Sequence, residues 1–410
     1  MQLYCDQERL AAALKAVLPA VPPRPITPVG AGVLLSTADG HLEVAATDRE
    51  IAIRYRVGAQ VAQPGSVVLP ARTISDLVAL LDAQRVDVTF DEGTGARPEP
   101  VEGTCPEQDG KAHPDEDRKA RSEPAEGADP GQNRSALALQ CGRTLAHIRG
   151  WGAGEFPTLP LPAGEPVARV EADALRDGIG RVVYAASPDP ARPALCGTLM
   201  QFAEGQVTLV AADGFRLALY TVPLVAPVAE PFDLVVPARG MRELQRLARE
   251  GQVSLALDEG GRFVVFEVGD AVIGCQLGGK YPDYRPLIPQ AWEVRAVVER
   301  AALTQACRTA RALSESGSLH VEFVPPGRLV VSSASAETGE GRTELKAEVE
   351  GAEAEVTLNV RYLADAVTAT NGAQVALTAT VPTDERHLPV LVRPVGMESQ
   401  LGLIMPMQTG

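Results

Sequence analysis

A pattern of amphipathic helix, strands and second amphipathic helix returns three times along this chain at nearly constant spacing, and that recurrence limits the fold more than any other feature. Asp6–Val21 places Leu10, Leu14, Val17 and Val21 at helical spacing behind an aspartate suited to capping a first turn. Glu171–Ala186 repeats this with Leu175, Ile179, Val182 and Ala186, and Glu299–Leu313 with Leu303, Cys307, Ala310 and Leu313. Each is followed by a short apolar strand that runs into another helix: VVLPARTISDLVALL at Val67–Leu81, LVVPARGMRELQRLA at Leu234–Ala248, and VTLNVRYLADAV at Val356–Val367. First and second helices start 64, 66 and 61 residues apart. Three matched spacings predict a triplicated unit.

Between the helices of each block the pattern is β. Val33–Ser36 and Leu42–Ala46, Gly197–Phe202 and Val207–Ala211, and His320–Phe323 and Leu329–Ser333 read as strands. Ala211–Val222, AADGFRLALYTV, reads as a hairpin with Asp213-Gly214 as its two-residue loop. Phe215, Leu217 and Leu219 alternate there with Arg216, Ala218 and Tyr220, which predicts one apolar face. ATDREIAIRYRV at Ala46–Val57 repeats the design 165 residues earlier. The fold class is therefore α+β, each unit being two helices laid on antiparallel sheet.

The blocks close on related markers: EFPTLP at Glu155–Pro160, KYPDYRPLIP at Lys280–Pro289 and LIMPM at Leu403–Met407. These bounds predict domains at 1–162, 165–289 and 293–410. From the first helix to its marker the blocks measure 151, 111 and 106 residues, so the first is about 40 too long. Gly93–Arg134 accounts for the surplus, with six prolines, ten acids, six bases and Val101 as its one large aliphatic residue. Such a segment cannot bury enough surface to offset ordering its backbone, and it is expected to be an acidic disordered insert. It reads either as a tolerated loop or as a docking tether.

Composition narrows the function classes. The 410 residues carry a net charge of −15, which argues against nonspecific nucleic-acid binding by bulk attraction. It does not argue against a protein that encloses DNA. The six expected helices hold 13 basic and 10 acidic residues, so the acidity lies elsewhere. Arg242, Arg246 and Arg249, and Arg308 and Arg311, read either as solvated helix faces or as a surface turned to phosphate. No signal-like or membrane-length apolar run occurs, and a cytoplasmic location is expected. Cys5, Cys105, Cys141, Cys196, Cys275 and Cys307 are scattered without a CxxC pair, which predicts reduced, mostly buried thiols.

Catalytic patterns are missing. His41, His113, His147, His320 and His387 are isolated, and the chain has neither GxSxG, a P-loop nor a dinucleotide fingerprint. Asp48 and Asp213 recur in the two hairpins, with Ser335 in the corresponding place of the third block. A turn role, with the side chain accepting backbone N–H bonds, suits all three better than acid–base chemistry. No metal or cofactor is expected.

The ordered set ATDRE, AADGFRLA, LPAR, VPAR, YPDYRPLIP and LIMPM resembles the bacterial β sliding clamps, the β subunits of DNA polymerase III, through the whole chain apart from the insert. The resemblance implies three clamp domains assembling as a head-to-tail dimeric ring, a homodimer of six similar units with helices lining the hole and sheets outside. It implies a non-enzymatic DNA sliding clamp conferring processivity in DNA replication, encircling double-stranded DNA without sequence preference. The partners implied are the replicative DNA polymerase, the clamp loader and repair proteins carrying clamp-binding peptides.

Carried over by position, the partner-peptide pocket between the second and third domains comprises Leu195, Ala212, Gly214, Phe215, Arg216 and Leu217, then Pro282, Pro286 and Leu287. The third block adds Tyr362, His387, Pro389, Leu403, Ile404, Met405, Pro406 and Met407. Proline, leucine and methionine suit a preformed apolar groove for a linear peptide, although LIMPM alone reads equally as a buried terminal strand. Phe215, Ala212 and Gln408 stand where many relatives carry histidine, threonine and a basic residue. The DNA-facing positions are Arg24, Arg72 and Arg192, each also readable as a surface ion-pair member. A dimer contact is implied between Thr144–Arg149 and the region around Leu313–Val321. The competing reading is a repeat-built peptide-binding scaffold that does not encircle DNA; an enzyme using Asp48 or Asp213 comes third.

Overall fold

A computed structural model describes residues 1–82, 84–90, 134–335, 337–380 and 388–407. The expected insert at 93–134 lies outside the described residues except for Arg134, where a strand begins.

One order of elements, β-α-β-β-β-β-α-β-β-β, occurs three times. The first copy is β1 (Gln2–Asp6), α1 (Gln7–Val17), β2 (Gly32–Ala38), β3 (His41–Thr47), β4 (Ile51–Gln63), β5 (Ser66–Pro70), α2 (Ala71–Ala79), β6 (Arg85–Phe90), β7 (Arg134–Cys141) and β8 (Thr144–Trp151). The second is β9 (Ala168–Glu171), α3 (Ala172–Val182), β10 (Gly197–Ala203), β11 (Gln206–Ala212), β12 (Arg216–Pro223), β13 (Phe232–Pro237), α4 (Ala238–Leu247), β14 (Gln252–Leu257), β15 (Phe263–Val268) and β16 (Ala271–Gln276). The third is β17 (Val294–Glu299), α5 (Arg300–Leu313), β18 (Ser318–Val324), β19 (Arg328–Ser335), β20 (Gly339–Gly351), β21 (Ala354–Asn359), α6 (Val360–Ala369), β22 (Gln374–Ala379), β23 (Val390–Pro394) and β24 (Gln400–Ile404). The helices pack in pairs, α1 with α2, α3 with α4 and α5 with α6.

The chain divides into two compact units, Met1–Ala46 with Arg56–Pro157, and Thr47–Tyr55 with Thr158–Gly410. In the first, β1 pairs with both β6 and β4, and the strand order β1-β6-β7-β8-β5-β2-β3-β4 closes on itself around Leu10, Leu14, Val17, Ile74 and Val78 from the two helices. Asp6 caps α1 as expected, accepting from the Arg9 N–H at 3.0 Å. The helix stops at Val17 rather than running to Val21, because Pro19 lacks the N–H that would continue it; a 3₁₀ turn over Leu18–Ala20 follows.

In the second unit, β13-β10-β11-β12-β24-β23-β22-β17-β20-β19-β18-β21 form one antiparallel sheet of twelve strands. Central and third copies join through β12 and β24, with Arg216 opposite Ile404, Leu217 opposite Leu403 and Leu219 opposite Leu401. Alternation along these strands splits the apolar residues between two clusters. Val390, Val392 and Ile404 face the core under α5 and α6, while Leu391, Leu401 and Leu403 face the opposite side with Leu199, Val210, Ala212 and Leu217. Helix α3 lies so close to the sheet that a Cβ at Gly178 would sit 2.6 Å from Val222 Cγ2, which explains glycine inside a helix.

Cys5, Cys275 and Cys307 are buried free thiols, Cys141 is buried and Cys196 is part-exposed. Burial pushes Cys5 and Cys307 up to about 12, beyond any thiolate chemistry near neutrality. Among the described residues, no helix is long and apolar enough to cross a membrane.

Candidate partner-peptide groove

The site begins at the turn between β11 and β12. Its loop differs from the expected Asp213-Gly214 pair: the Asp213 N–H donates to the Arg216 carbonyl at 3.2 Å, so Gly214 and Phe215 are the central residues. Asp213 instead holds the corner with its side chain, Oδ1 accepting from the N–H groups of Phe215 at 2.9 Å and Arg216 at 3.0 Å. Gly214 has φ of +94°, which glycine alone adopts freely. Asp48 repeats the geometry, accepting from Glu50 at 3.0 Å and Ile51 at 2.9 Å, and Ser335 Oγ accepts from Glu337 and Thr338. The turn role holds in all three copies.

The expected apolar face of this hairpin is inverted at its start. Phe215 is 56% exposed, whereas Arg216 is 7% exposed. Arg216 is buried because every side of it is met: Nε donates to Asp213 Oδ2 at 2.9 Å, Nη1 to Asp365 Oδ2 at 2.7 Å and Nη2 to the Tyr184 carbonyl at 2.7 Å. Its guanidinium also stacks 4.5 Å from the Tyr362 ring centroid. Burial raises the Tyr362 and Tyr184 phenols above the ordinary tyrosine range, so both remain neutral.

Around this node the remaining candidates fall into three sets. Ala212, Leu217 and Leu403 are buried in one apolar cluster, with Leu195 and Met405 half-buried against it. Met405 is seated by its N–H, which donates to the Phe215 carbonyl at 2.8 Å, and Met407 N–H donates to the Thr357 carbonyl at 2.8 Å. Pro282, Pro286 and Leu287 lie exposed on the linker after β16, Leu287 at 53%. Pro406 is half-buried, Pro389 is buried, and Ile404 points away into the core under α5 and α6. His387 and Gln408 lie outside the described residues.

The linker is fixed by two tyrosines that the sequence pattern contained but did not single out. Tyr281 and Tyr284 are both buried in the cluster, and Tyr284 donates to Gln201 Oε1 at 2.7 Å. The result is one apolar cluster with Met405 packed on it and the Phe215 and Leu287 side chains exposed. It has the chemistry to take the side chains of an extended peptide.

Of the other candidates, Arg24 and Arg72 are exposed in the first unit, Arg24 on a loop and Arg72 in the first turn of α2. Arg192 donates to the Asp213 carbonyl at 3.0 Å and lies 3.8 Å from Asp189, so it braces the turn as well. Asp48 and Asp213 each hold a backbone turn with one oxygen and an arginine with the other, Arg239 and Arg216 respectively. Neither oxygen is left to act as a base. Among the described residues no group of three or more His, Cys, Asp or Glu side chains is placed to hold a metal ion.

Comparison with known proteins agrees along the whole chain. Family profiles described as DNA polymerase III beta subunit match it as N-terminal domain over residues 1–97, central domain over 169–283 and C-terminal domain over 285–408. The chain is 29% identical over 417 residues to the beta sliding clamp of Synechococcus elongatus, covering 100% of this chain and 99% of that one. It is 24% identical to the beta sliding clamp of Bacillus subtilis, with 100% of each covered. The crystal structure of the Bacillus subtilis clamp superposes with a TM-score of 0.84 at 23% identity, and that of the beta subunit from Thermotoga maritima with 0.81 at 21%, each covering 100% of both chains.

Proposed function

The chain belongs to the DNA polymerase III beta subunit family, the β sliding clamps, and from that membership we propose how its surfaces divide the work of holding DNA and holding partners. The protein acts as the non-catalytic processivity subunit of a DNA polymerase in DNA replication. Two copies assemble head to tail into a ring around duplex DNA, and domains at 1–162, 165–289 and 293–410 supply its six similar parts. Grip is topological, so the phosphate contacts need only be weak and sequence-independent.

The surface that serves DNA is the helical one. Arg176, Arg181, Arg242 and Arg246 outnumber Asp177 and Asp365 in a cleft of about 710 Å³ among α3, α4 and α6. This gathers cations on one face of an acidic protein, as a phosphate backbone requires. Arg24, Arg72 and Arg192 are the further arginines proposed to meet DNA phosphates. For dimerisation, β8 is paired to β7 along its length but to β5 only at Trp151, so Thr144–Arg149 keeps an open edge among the described pairings. In the third copy β18 is flanked on both sides, whereas β20 has only β19 beside Gly339–Lys346. The strand edge at 339–346, on which Leu313 packs at Gly341, is proposed to meet β8 together with the region around Leu313–Val321.

The partner groove lies over the cluster of Ala212, Leu217 and Leu403, beside Phe215, Leu287 and Met405. It takes short apolar segments of the replicative polymerase, the clamp loader and repair proteins. The single observation that carries this reading is the seating of Met405 on Phe215, which joins the end of the chain to the exposed ring beside an apolar floor. Deleting residues 405–410 tests it: stimulation of the polymerase is lost while the dimer mass is kept. Stimulation that survives the deletion contradicts the groove. No membrane partner is proposed, and the location is cytoplasmic.

A further inference from the structure

On the same outer face of the third copy as Leu391 and Leu403 lies a cleft of about 630 Å³ that the functions above leave unassigned. Its floor is β22 and β23, where Ala376 stands opposite Arg393 and Thr378 opposite Leu391. The linker at 288–292 forms one wall and the turn at 394–398 the other. Trp292, Val395 and Met397 are 46%, 43% and 37% exposed, so three large apolar side chains crowd one small area. Clustering of that kind marks an interaction surface where single exposed residues do not.

The charge in the cleft is unbalanced at its floor. Arg393 is half-buried, its Nε is shielded from solvent without a hydrogen-bond partner, and among the described residues no carboxylate lies within ion-pair distance of it. That Nε is closed to any incoming group, but the guanidinium lines the cleft with its charge uncompensated, and a carboxylate is the group that matches such a cation. Arg295, on β17 beside β22, adds a second cation, 3.7 Å from the exposed Glu350. The one acid lining the cleft is Glu398, on the turn. The cleft also touches the groove: Leu391 belongs to the groove's apolar cluster, and Ile288, which lines the cleft, packs against that cluster.

We propose that this cleft is a second subsite for partner segments seated in the groove, taking an aspartate or glutamate that flanks their apolar stretch, with Arg393 as its counter-charge and Trp292 and Met397 as its apolar wall. The inference rests on the groove reading and goes beyond it by assigning a charge to the flanking residues. It gives the clamp a means of ranking partners whose apolar residues are alike.

The test uses the full chain and two synthetic probes: a hexapeptide selected by display for binding to this protein in competition with the polymerase, and the same hexapeptide extended by two glycines and three glutamates. Calorimetry on the native protein is expected to give the extended peptide about tenfold tighter binding at low salt, and an extension with three glutamines none. Arg393→Gln and Trp292→Ala each remove that gain while leaving the hexapeptide affinity unchanged. In a Trp151→Phe background, Trp292 emission shifts only with the glutamate peptide. Hexapeptide binding without the gain, or a gain that persists in Arg393→Gln, overturns the subsite alone. A selection that yields no competing hexapeptide overturns the groove and the subsite together.

Discussion

The Arg216 guanidinium, at the start of β12 in the central copy, donates to the Asp365 carboxylate at 2.7 Å from α6 of the third copy, 149 residues further along the chain. The same guanidinium holds Asp213 at the turn that presents Phe215. The groove's geometry and the packing of central on third copy therefore depend on one buried cation. Arg216→Met leaves Asp213, only 8% exposed, without its partner, and is expected to destabilise the chain by about 3 to 5 kcal/mol. Asp365, a third exposed, is less critical, and Asp365→Asn is expected to cost about 1 kcal/mol. Urea unfolding measures both; equal and small effects would show that the node is not a lock.

Asp48 and Asp213 give a contrasting prediction. Asparagine keeps the oxygen that accepts the turn N–H bonds and loses only the charge. Asp48→Asn and Asp213→Asn should each lower stability by about 1 to 3 kcal/mol, yet support processive synthesis within about threefold of the native protein at 25 °C. A primer-extension assay on long template reads this. Loss of a hundredfold or more in a folded variant would restore a chemical role to the carboxylate.

Alkaline pH should unfold the protein through its buried thiols and phenols. Cys5 and Cys307 are raised by burial from 9.0 to about 12, and burial raises the Tyr184 and Tyr281 phenols above their ordinary value as well. A group raised in the folded state holds its proton longer there than in the unfolded chain. Its contribution is complete below the unfolded value and declines as pH climbs from about 9 towards 12, by about 1.4 kcal/mol per pH unit for each group titrating only in the unfolded chain. The urea midpoint is therefore expected to be flat from pH 7 to 8.5 and to fall above it, with a shallower fall in Cys307→Ala. A midpoint unchanged at pH 10.5 contradicts the burial of these groups.

Phe215 is more than half exposed, so its loss should be felt by partners and not by the fold. Phe215→Ala is expected to change stability by less than about 0.5 kcal/mol and to weaken a groove-binding peptide about tenfold. Peptide titration alongside thermal melting separates the two. Unchanged affinity would place the peptide elsewhere.

Much of the architecture was legible because it rests on local periodicity. Leu10, Leu14 and Val17 announced α1, and Leu303, Cys307 and Ala310 announced α5, since a helix buries one stripe whatever it packs on. Spacing then revealed the threefold order. What alternation could not reveal was Arg216 pointing inward and Phe215 outward, because the reason lies in Asp365 and Tyr184, which are remote in sequence. Ile404 was hidden likewise: its side of β24 is set by pairing with Arg216 and Val390. Arg393 and Trp292 carried no sequence signal at all, being ordinary residues until β22, β23 and the linker meet around them.

The central claim is that this chain stays on DNA by enclosing it, and linearising a loaded circle tests that most directly. Labelled protein is loaded by its clamp loader and ATP onto a nicked circular plasmid, passed through a sizing column at about 150 mM salt, and measured again after one cut by a restriction enzyme. The account predicts co-elution with the circle and release within minutes of the cut. Retention unaffected by linearisation, or no retention on the circle, would contradict it.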